Sequence, residues 1–335
     1  MNAATSSESV VVVGSGIVGI ACAHYLSKSG YRITEIEQGS LAGGCSHANC
    51  GYICPSHVLP LTEPGAVRLA LKSLFNPRAP FRVKPRFSPA LWKWMWNFAQ
   101  RCNPREMLEA GRHLKAILDS SMAEYRQMMQ VEPVPCEWKE SGLLYVFQSE
   151  HGLREFTETD RLLTEEFGVT AQRIEGDRLN EFDPALKPGL AGAFHYPGDA
   201  SVRPDLLNRG WIERLKLRGV EFREQCRLTG IEKSSRLAHS LSTSQGPLPF
   251  HHLVVATGAW SERWSSELEC AIPVQPGKGY SVTMTAANGA PRFPMLFPEH
   301  RVGVSPFQNA YRLGSMMEFA GFDSTIPERR IRQLH

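Results

Sequence analysis

The chain is 335 residues long, 42% apolar and 21% charged, with a net charge of +3. That length predicts about two domains with room for real cores. The near-neutral balance excludes any global nucleic-acid-binding character, and the composition excludes a fibrous or low-complexity chain. In chain order, the first nine residues are a polar leader without the basic and apolar regions of a secretory signal. No later stretch approaches the ~18 apolar residues of a membrane span, so the expected location is the cytoplasm. The eight cysteines are scattered, and Cys50-x-x-x-Cys54 has no partner pair at zinc spacing. They read as reduced and structural, and no metal site is expected.

Four valines, Val10 to Val13, form a β-branched run too short for a buried helix and suited to a parallel strand covered on both faces. Gly14, Ser15, Gly16 and Gly19 follow as G-x-G-x-x-G, then a helical pattern over 20–29 closed by Gly30, where a C′ glycine belongs. A second strand over 31–37 ends in Glu37, 37 − 14 = 23 residues past the first glycine. Each part has a mechanical role in dinucleotide binding. The first glycine allows the tight turn, the second lets backbone approach a pyrophosphate, and the third lets helix pack on strand. The helix N-terminus offers N–H donors to phosphate, and an acid about 20 residues on suits a ribose hydroxyl.

The loop 38–57 is small, polar and glycine-bearing, which suits backbone lying against a ligand; Ser46 and Asn49 offer hydroxyl and amide contacts there. His47 and His57 read as hydrogen-bonding residues, a covalent flavin link or a base being the less common roles. From 64 to 105 there is no acidic residue, and the span holds Arg68, Lys72, Arg78, Arg82, Lys84, Arg86, Lys93, Arg101 and Arg105. Around Trp92, Trp94 and Trp96 this mixture suits an interfacial segment on anionic membrane. The favoured expectation is a solvated basic face with its aromatics in the core, because the three tryptophans do not share one helical stripe.

Residues 106–130 and 152–167 read as amphipathic helices, and 142–148 as a strand. The span 60–200 interrupts the βαβ pattern as a separate substrate domain. Asp205 is expected to cap a helix over 206–218 that Gly219 ends. The strand ending Ala256-Thr-Gly258 can pass backbone close to the dinucleotide from a second direction. Residues 272–284 and 312–318 complete a second β-rich region.

Six segments then carry a family resemblance: Val11-Val-Val-Gly-Ser-Gly-Ile-Val-Gly19, Ser46-His-Ala-Asn-Cys-Gly51, Tyr196-Pro-Gly-Asp-Ala200, Val254-Val-Ala-Thr-Gly-Ala-Trp260, Pro273-Val-Gln-Pro-Gly-Lys-Gly-Tyr280 and Gly314-Ser-Met-Met-Glu-Phe-Ala-Gly321. Over nearly its whole length the chain resembles the FAD-dependent amino-acid oxidases and dehydrogenases, the superfamily of glycine and sarcosine oxidases. The likeness is nearest to bacterial D-amino acid dehydrogenases, the D-proline or hydroxyproline branch included. The resemblance implies an α/β fold: a doubly wound, Rossmann-like FAD-binding domain over 1–60 and 201–270, with an inserted α+β substrate domain over 61–200 and 271–335. It implies FAD held by Gly14, Ser15, Gly16, Ile17, Val18 and Gly19, with Glu37 on the ribose and Gln38 beside it. Ser46, Asn49 and Gly51 would lie along pyrophosphate and flavin, Leu228 would meet the adenine side, and Thr257, Gly258 and Ala259 would close the site.

The implied reaction passes a hydride from the Cα of an amino or cyclic imino acid to flavin N5, giving an imine that hydrolyses to a 2-oxo acid and ammonia, or a cyclic imine. The acceptor is open among a quinone, a carrier and oxygen, and peripheral contact with the inner face of the membrane is an accompanying expectation. The chain departs from the pattern twice. Glycine oxidase-like relatives carry a carboxylate-binding arginine where Phe307 stands, which turns attention to Tyr280 and Arg312. The family also continues past Gly321 with a final FAD-domain segment absent here, so a truncated, inactive and flavin-poor chain is one expectation. A nicotinamide-dependent dehydrogenase is the remaining alternative; it has no evident use for the 44–57 loop.

Overall fold

The computed structural model describes residues 8–74, 81–84, 86–235, 237–286 and 289–334, with backbone alone at 69 and 72–74. The leader over 1–7, Arg78 and His335 lie outside the described residues, as does the side chain of Lys72. The chain divides into two units. The first comprises Met1–Asn49, Val134–Cys136 and Pro204–Val274, and the second Cys50–Pro133, Glu137–Arg203 and Gln275–His335.

The first unit is built on a four-stranded parallel sheet in the order His252–Val255, Ser9–Val13, Arg32–Ile36, Glu221–Arg223. The valine run forms an inner strand, Val11 lying between Leu253 and Thr34. One face carries helices Ile17–Lys28 and Pro204–Leu217, which Trp211 pins together by donating Nε1–H to His24 Nδ1 at 3.0 Å. On the other face Val11, Val13 and Ile36 pack with Leu228, Leu241, Leu248 and Phe250. Those partners belong to, or adjoin, a three-stranded antiparallel sheet, Leu228–Ser234, Leu237–Thr243 and Gly246–Pro249. The parallel sheet is thus buried on both faces, as its β-branched run requires.

Two local expectations are corrected. The first helix starts at Ile17, not after Gly19, because Gly16 in extended conformation serves as its N-cap. The second begins at Pro204, so Asp205 sits in the first turn rather than at the cap. Proline at the first helical position loses no hydrogen bond, since that N–H has no helical acceptor. Gly30 and Gly219 follow their helices at φ +88° and +87°, the left-handed conformation that terminates a helix.

The second unit is a large mixed sheet in the order Lys278–Thr285, Ala310–Phe319, Val302–Pro306, Met295–Phe297, Leu143–Phe147, Gly192–Tyr196, Gln172–Glu175; Phe81–Val83 also pairs with the second of these. Alternation sorts its faces. Phe147, Phe194 and Tyr196 pack with Leu153, Leu163 and Phe167 of helix Glu150–Phe167. Leu144, Val146, Met295 and Val304 pack with Leu179 and Leu186. Among the described residues no helix is long and apolar enough to cross a membrane.

The aromatic segment does not follow the expectation that its rings lie in the core. Helix Pro89–Gln100 buries Leu91 and turns Trp94 onto Phe98 and Phe319, but Trp92 and Trp96 are exposed.

Candidate functional site

At the C-terminal edge of the parallel sheet, three segments surround a cavity of about 500 Å³ inside the first unit: the turn and helix start from Val13 to Val18, the strand end Ile36 to Gln38, and the run Val255 to Trp264. Gly14 takes φ +105°, and a Cβ there would stand 2.6 Å from the carbonyl oxygen of Ala256, so the turn passes directly beside the third segment. A Cβ at Gly19 would stand 1.8 Å from the carbonyl oxygen of Gly14. The third glycine therefore lets the helix sit down on its own turn. Helix Ile17–Lys28 opens toward the cavity with no acidic residue in its first turn and no side-chain cap from Gly16. A helix N-terminus of this kind favours an anion.

Glu37 closes the second segment. Its Oε2 accepts from Ser15 N–H at 3.0 Å and Ser15 Oγ at 3.2 Å, and its Oε1 accepts from Gly39 N–H at 3.0 Å. The carboxylate thus fixes the turn as well as facing the cavity. Two residues before it is Glu35, fully buried, with no hydrogen-bond partner for either carboxylate oxygen. Burial, with the neighbouring Glu37 charge second, pushes its pKa up to about 8. Glu35 is therefore neutral at physiological pH.

Gly14, Gly16, Ile17, Val18, Glu37, Gln38, Ser46, Leu228, Thr257, Gly258 and Ala259 all line this cavity. Ser15 and Gly19 support it from beneath, at 2% exposure for Ser15. Ser46 does so in an unforeseen way: its Oγ accepts from Ile17 N–H at 3.0 Å, capping the helix from a distant loop. Asn49 and Gly51 do not line it; Asn49 donates to the Ser46 carbonyl at 3.0 Å, and Gly51 belongs to the second unit, where its carbonyl accepts from Val202 N–H. Cys45, Arg227, Arg263 and Trp264 also line the cavity and were not anticipated. The 3-10 helix Gly258–Trp264 brings the last two in, and the Trp260/Trp264 spacing of four was the available signal.

In the second unit Tyr280 and Arg312 are both buried. Arg312 pairs with Thr283 across the antiparallel ladder and donates Nε–H to its Oγ1 at 2.9 Å. Tyr280 lies three residues from Thr283 on the same strand, so alternation puts it on the opposite face. Its hydroxyl donates to Glu318 at 2.7 Å, and burial together with that bond raises its pKa. The sheet does not bring the two candidates together. Arg312 and Arg203 instead flank the Phe307 ring, at 5.3 and 5.5 Å from its centroid. His57 pairs through Nδ1 with Tyr145 Oη at 3.2 Å. Nearby, Asp199 accepts from both the N–H and the Oγ–H of Ser56, and burial pushes its pKa up to about 6.

Comparison with known proteins places this geometry. A family profile described as DAO, FAD dependent oxidoreductase, matches residues 9–335. A D-amino acid dehydrogenase of Vibrio vulnificus (strain YJ016) is 31% identical over 326 residues, covering 96% of this chain and 78% of that protein. One from Neisseria meningitidis serogroup C is 28% identical over 327 residues with the same coverage. Among solved structures, glycine oxidase from Geobacillus kaustophilus superimposes with a TM-score of 0.72 at 20% identity, covering 98% of this chain and 76% of that one. L-proline dehydrogenase from P. horikoshii does so at 0.69 and 17%, covering 98% and 75%. At these identities the structural likeness speaks to fold alone.

Proposed function

Since the chain belongs to the DAO family of FAD-dependent oxidoreductases and is an amino acid dehydrogenase-like flavoenzyme, we propose that it oxidises the CH–NH group of a D-amino acid or cyclic imino acid. The products are a 2-oxo acid and ammonia, or a cyclic imine, and the electrons pass on to a quinone, a carrier or oxygen. The first unit is the FAD domain in this reading and the second the substrate domain. The observation that carries it is the meeting, at one cavity, of a glycine-rich turn, an unacidic helix N-terminus and the Glu37 carboxylate. That donor set fits FAD: N–H groups for the diphosphate and a carboxylate for a ribose hydroxyl.

Bound FAD supplies the hydride acceptor. The chain supplies position. Gly14 and Gly16 let backbone approach the diphosphate, Glu37 orients the adenosine ribose, and Leu228 and Trp264 give the cavity apolar wall. Arg312 is the residue proposed to hold the substrate carboxylate, because a guanidinium matches a carboxylate in both charge and fork geometry. Tyr280 is committed to Glu318 on the other face and is the weaker candidate.

Two outcomes follow. Glu37→Ala removes a charge-assisted hydrogen bond worth about 1.5–3 kcal/mol and frees Ser15 as well. FAD should bind ten- to a hundredfold more weakly, at ~1.4 kcal/mol per tenfold, as read by flavin retained after dialysis. Arg312→Lys keeps the charge and loses the fork, so KM for the amino acid should rise by roughly tenfold or more with flavin content unchanged. The reading itself is tested by dye reduction with paired D- and L-amino acids and D-proline. Turnover confined to D-substrates or cyclic imino acids supports it; turnover with L-substrates alone sinks it.

A further inference from the structure

We propose, on the reading that the cavity of the first unit holds FAD, that Arg227 is a further cofactor-binding residue whose guanidinium covers the adenine ring. Strand order sets out the positions along the cavity's rim. The parallel sheet runs His252–Val255, Ser9–Val13, Arg32–Ile36, Glu221–Arg223, and neighbouring strands stand about 4.8 Å apart. The segments that follow these strands meet the cavity in the same sequence: the run from Ala256, the glycine turn, Glu37, then the stretch after Arg223. A dinucleotide with its diphosphate at the glycine turn and its ribose at Glu37 carries its adenine on to the last of these.

That stretch is held firmly around Arg227. Gln225 N–H donates to the Gly39 carbonyl at 3.0 Å and Cys226 N–H to the Glu37 carbonyl at 2.8 Å, so the segment runs alongside the ribose-binding acid. From the hairpin beyond, Ser244 N–H donates to the Arg227 carbonyl at 2.9 Å. Its Oγ accepts from Arg227 N–H at 2.9 Å and donates to the Gln225 carbonyl at 3.2 Å. Gln225 takes φ +53°, a left-handed conformation that a residue with a side chain keeps only where its surroundings hold it. Alternation then sorts the side chains. Cys226 and Leu228, 1% and 8% exposed, join the core, whereas Arg227 between them is exposed and lines the cavity.

Among the described residues Arg227 forms no ion pair. The Glu37 carboxylate beside its segment is engaged by Ser15 and Gly39 instead. The glycine turn, where the diphosphate belongs, is two strands away, about 10 Å, so charge alone gives this arginine little to do. Its shape does more. A guanidinium is flat and weakly hydrated, and it stacks on an aromatic face in a way an ammonium does not. Adenine presents such a face, and Leu228 and Trp264 supply apolar wall to the same cavity.

The test is a calorimetric titration of the full chain, freed of flavin, with FAD. Arg227→Ala should bind FAD roughly tenfold more weakly. Arg227→Lys keeps the charge and loses the plane, and it should bind as weakly as Arg227→Ala. Arg227→Tyr is flat but uncharged, and it should stay within about threefold of wild type because a ring stacks on a base. Thermal melts of the flavin-free variants should match wild type, since the side chain is exposed. Wild-type affinity in Arg227→Ala would overturn the proposal. So would wild-type affinity in Arg227→Lys with loss in Arg227→Tyr, because the contact would then be a point charge on the diphosphate. A wild-type chain that takes up no FAD would instead remove the cofactor reading itself, and the proposal with it.

Discussion

Gly19→Ala is expected to abolish flavin retention and to lower the unfolding midpoint sharply. The added Cβ would lie 1.8 Å from the Gly14 carbonyl oxygen and 3.0 Å from its carbon. Both are backbone atoms of the turn, so no side chain can swing aside. The helix must lift, and its first N–H groups leave the cavity with it. Ordinary overpacking costs about 1–3 kcal/mol, and a backbone collision this deep should exceed that against a total stability of ~5–15 kcal/mol. Gly16→Ala is the matched control. Its Cβ would meet only Ser46 Oγ, at 3.3 Å, and a small rotation relieves that contact. The flavin-to-protein absorbance ratio after gel filtration, together with a thermal melt, should rank the variants wild type, Gly16→Ala, Gly19→Ala. Equal flavin content in Gly19→Ala and wild type would show that the helix does not rest on this turn.

The second large effect is on pH dependence. Glu35 has no partner for either carboxylate oxygen, and burial raises its pKa from 4.5 to about 8. Between those values the folded state holds a proton that the unfolded state has lost. Stability therefore falls as pH rises through this window and levels off above the folded pKa. The full penalty is roughly 3–5 kcal/mol at ~1.4 kcal/mol per pH unit. Glu35→Gln has the same shape and cannot ionise. Denaturant titrations should find wild type and variant alike near pH 5, and the variant more stable by several kcal/mol near pH 9. Parallel stability curves across that range would mean that Glu35 ionises freely in the folded protein.

The cofactor half of the site was legible because its chemistry is local. Val10 to Glu37 contains the strand, the turn, the helix and the acid, and each is dictated by residues a few positions away. What escaped depends on covers and registers formed by distant chain. Glu35 looks like the polar side of an alternating strand, and only the helix laid over it makes it a buried acid. Ser46 reads as a ligand contact, yet its hydroxyl reaches back 29 residues to cap Ile17. Tyr280 and Arg312 stood as alternative candidates by family likeness; the pairing of Thr283 with Arg312 places them on opposite faces. The tryptophan cluster failed a test for one stripe because it serves two faces, Trp94 inward and Trp92 with Trp96 outward.

In the proposed function the cavity of the first unit holds FAD, and the bound flavin is reduced by a D-amino acid. An anaerobic titration of the FAD-loaded protein followed in the visible tests it directly. Flavin absorption bands should co-purify with the chain and bleach on adding a D-amino acid or D-proline, and Glu37→Ala should lose the bands. A protein that takes up no flavin from excess FAD, or whose flavin stays oxidised with every such substrate, would contradict it.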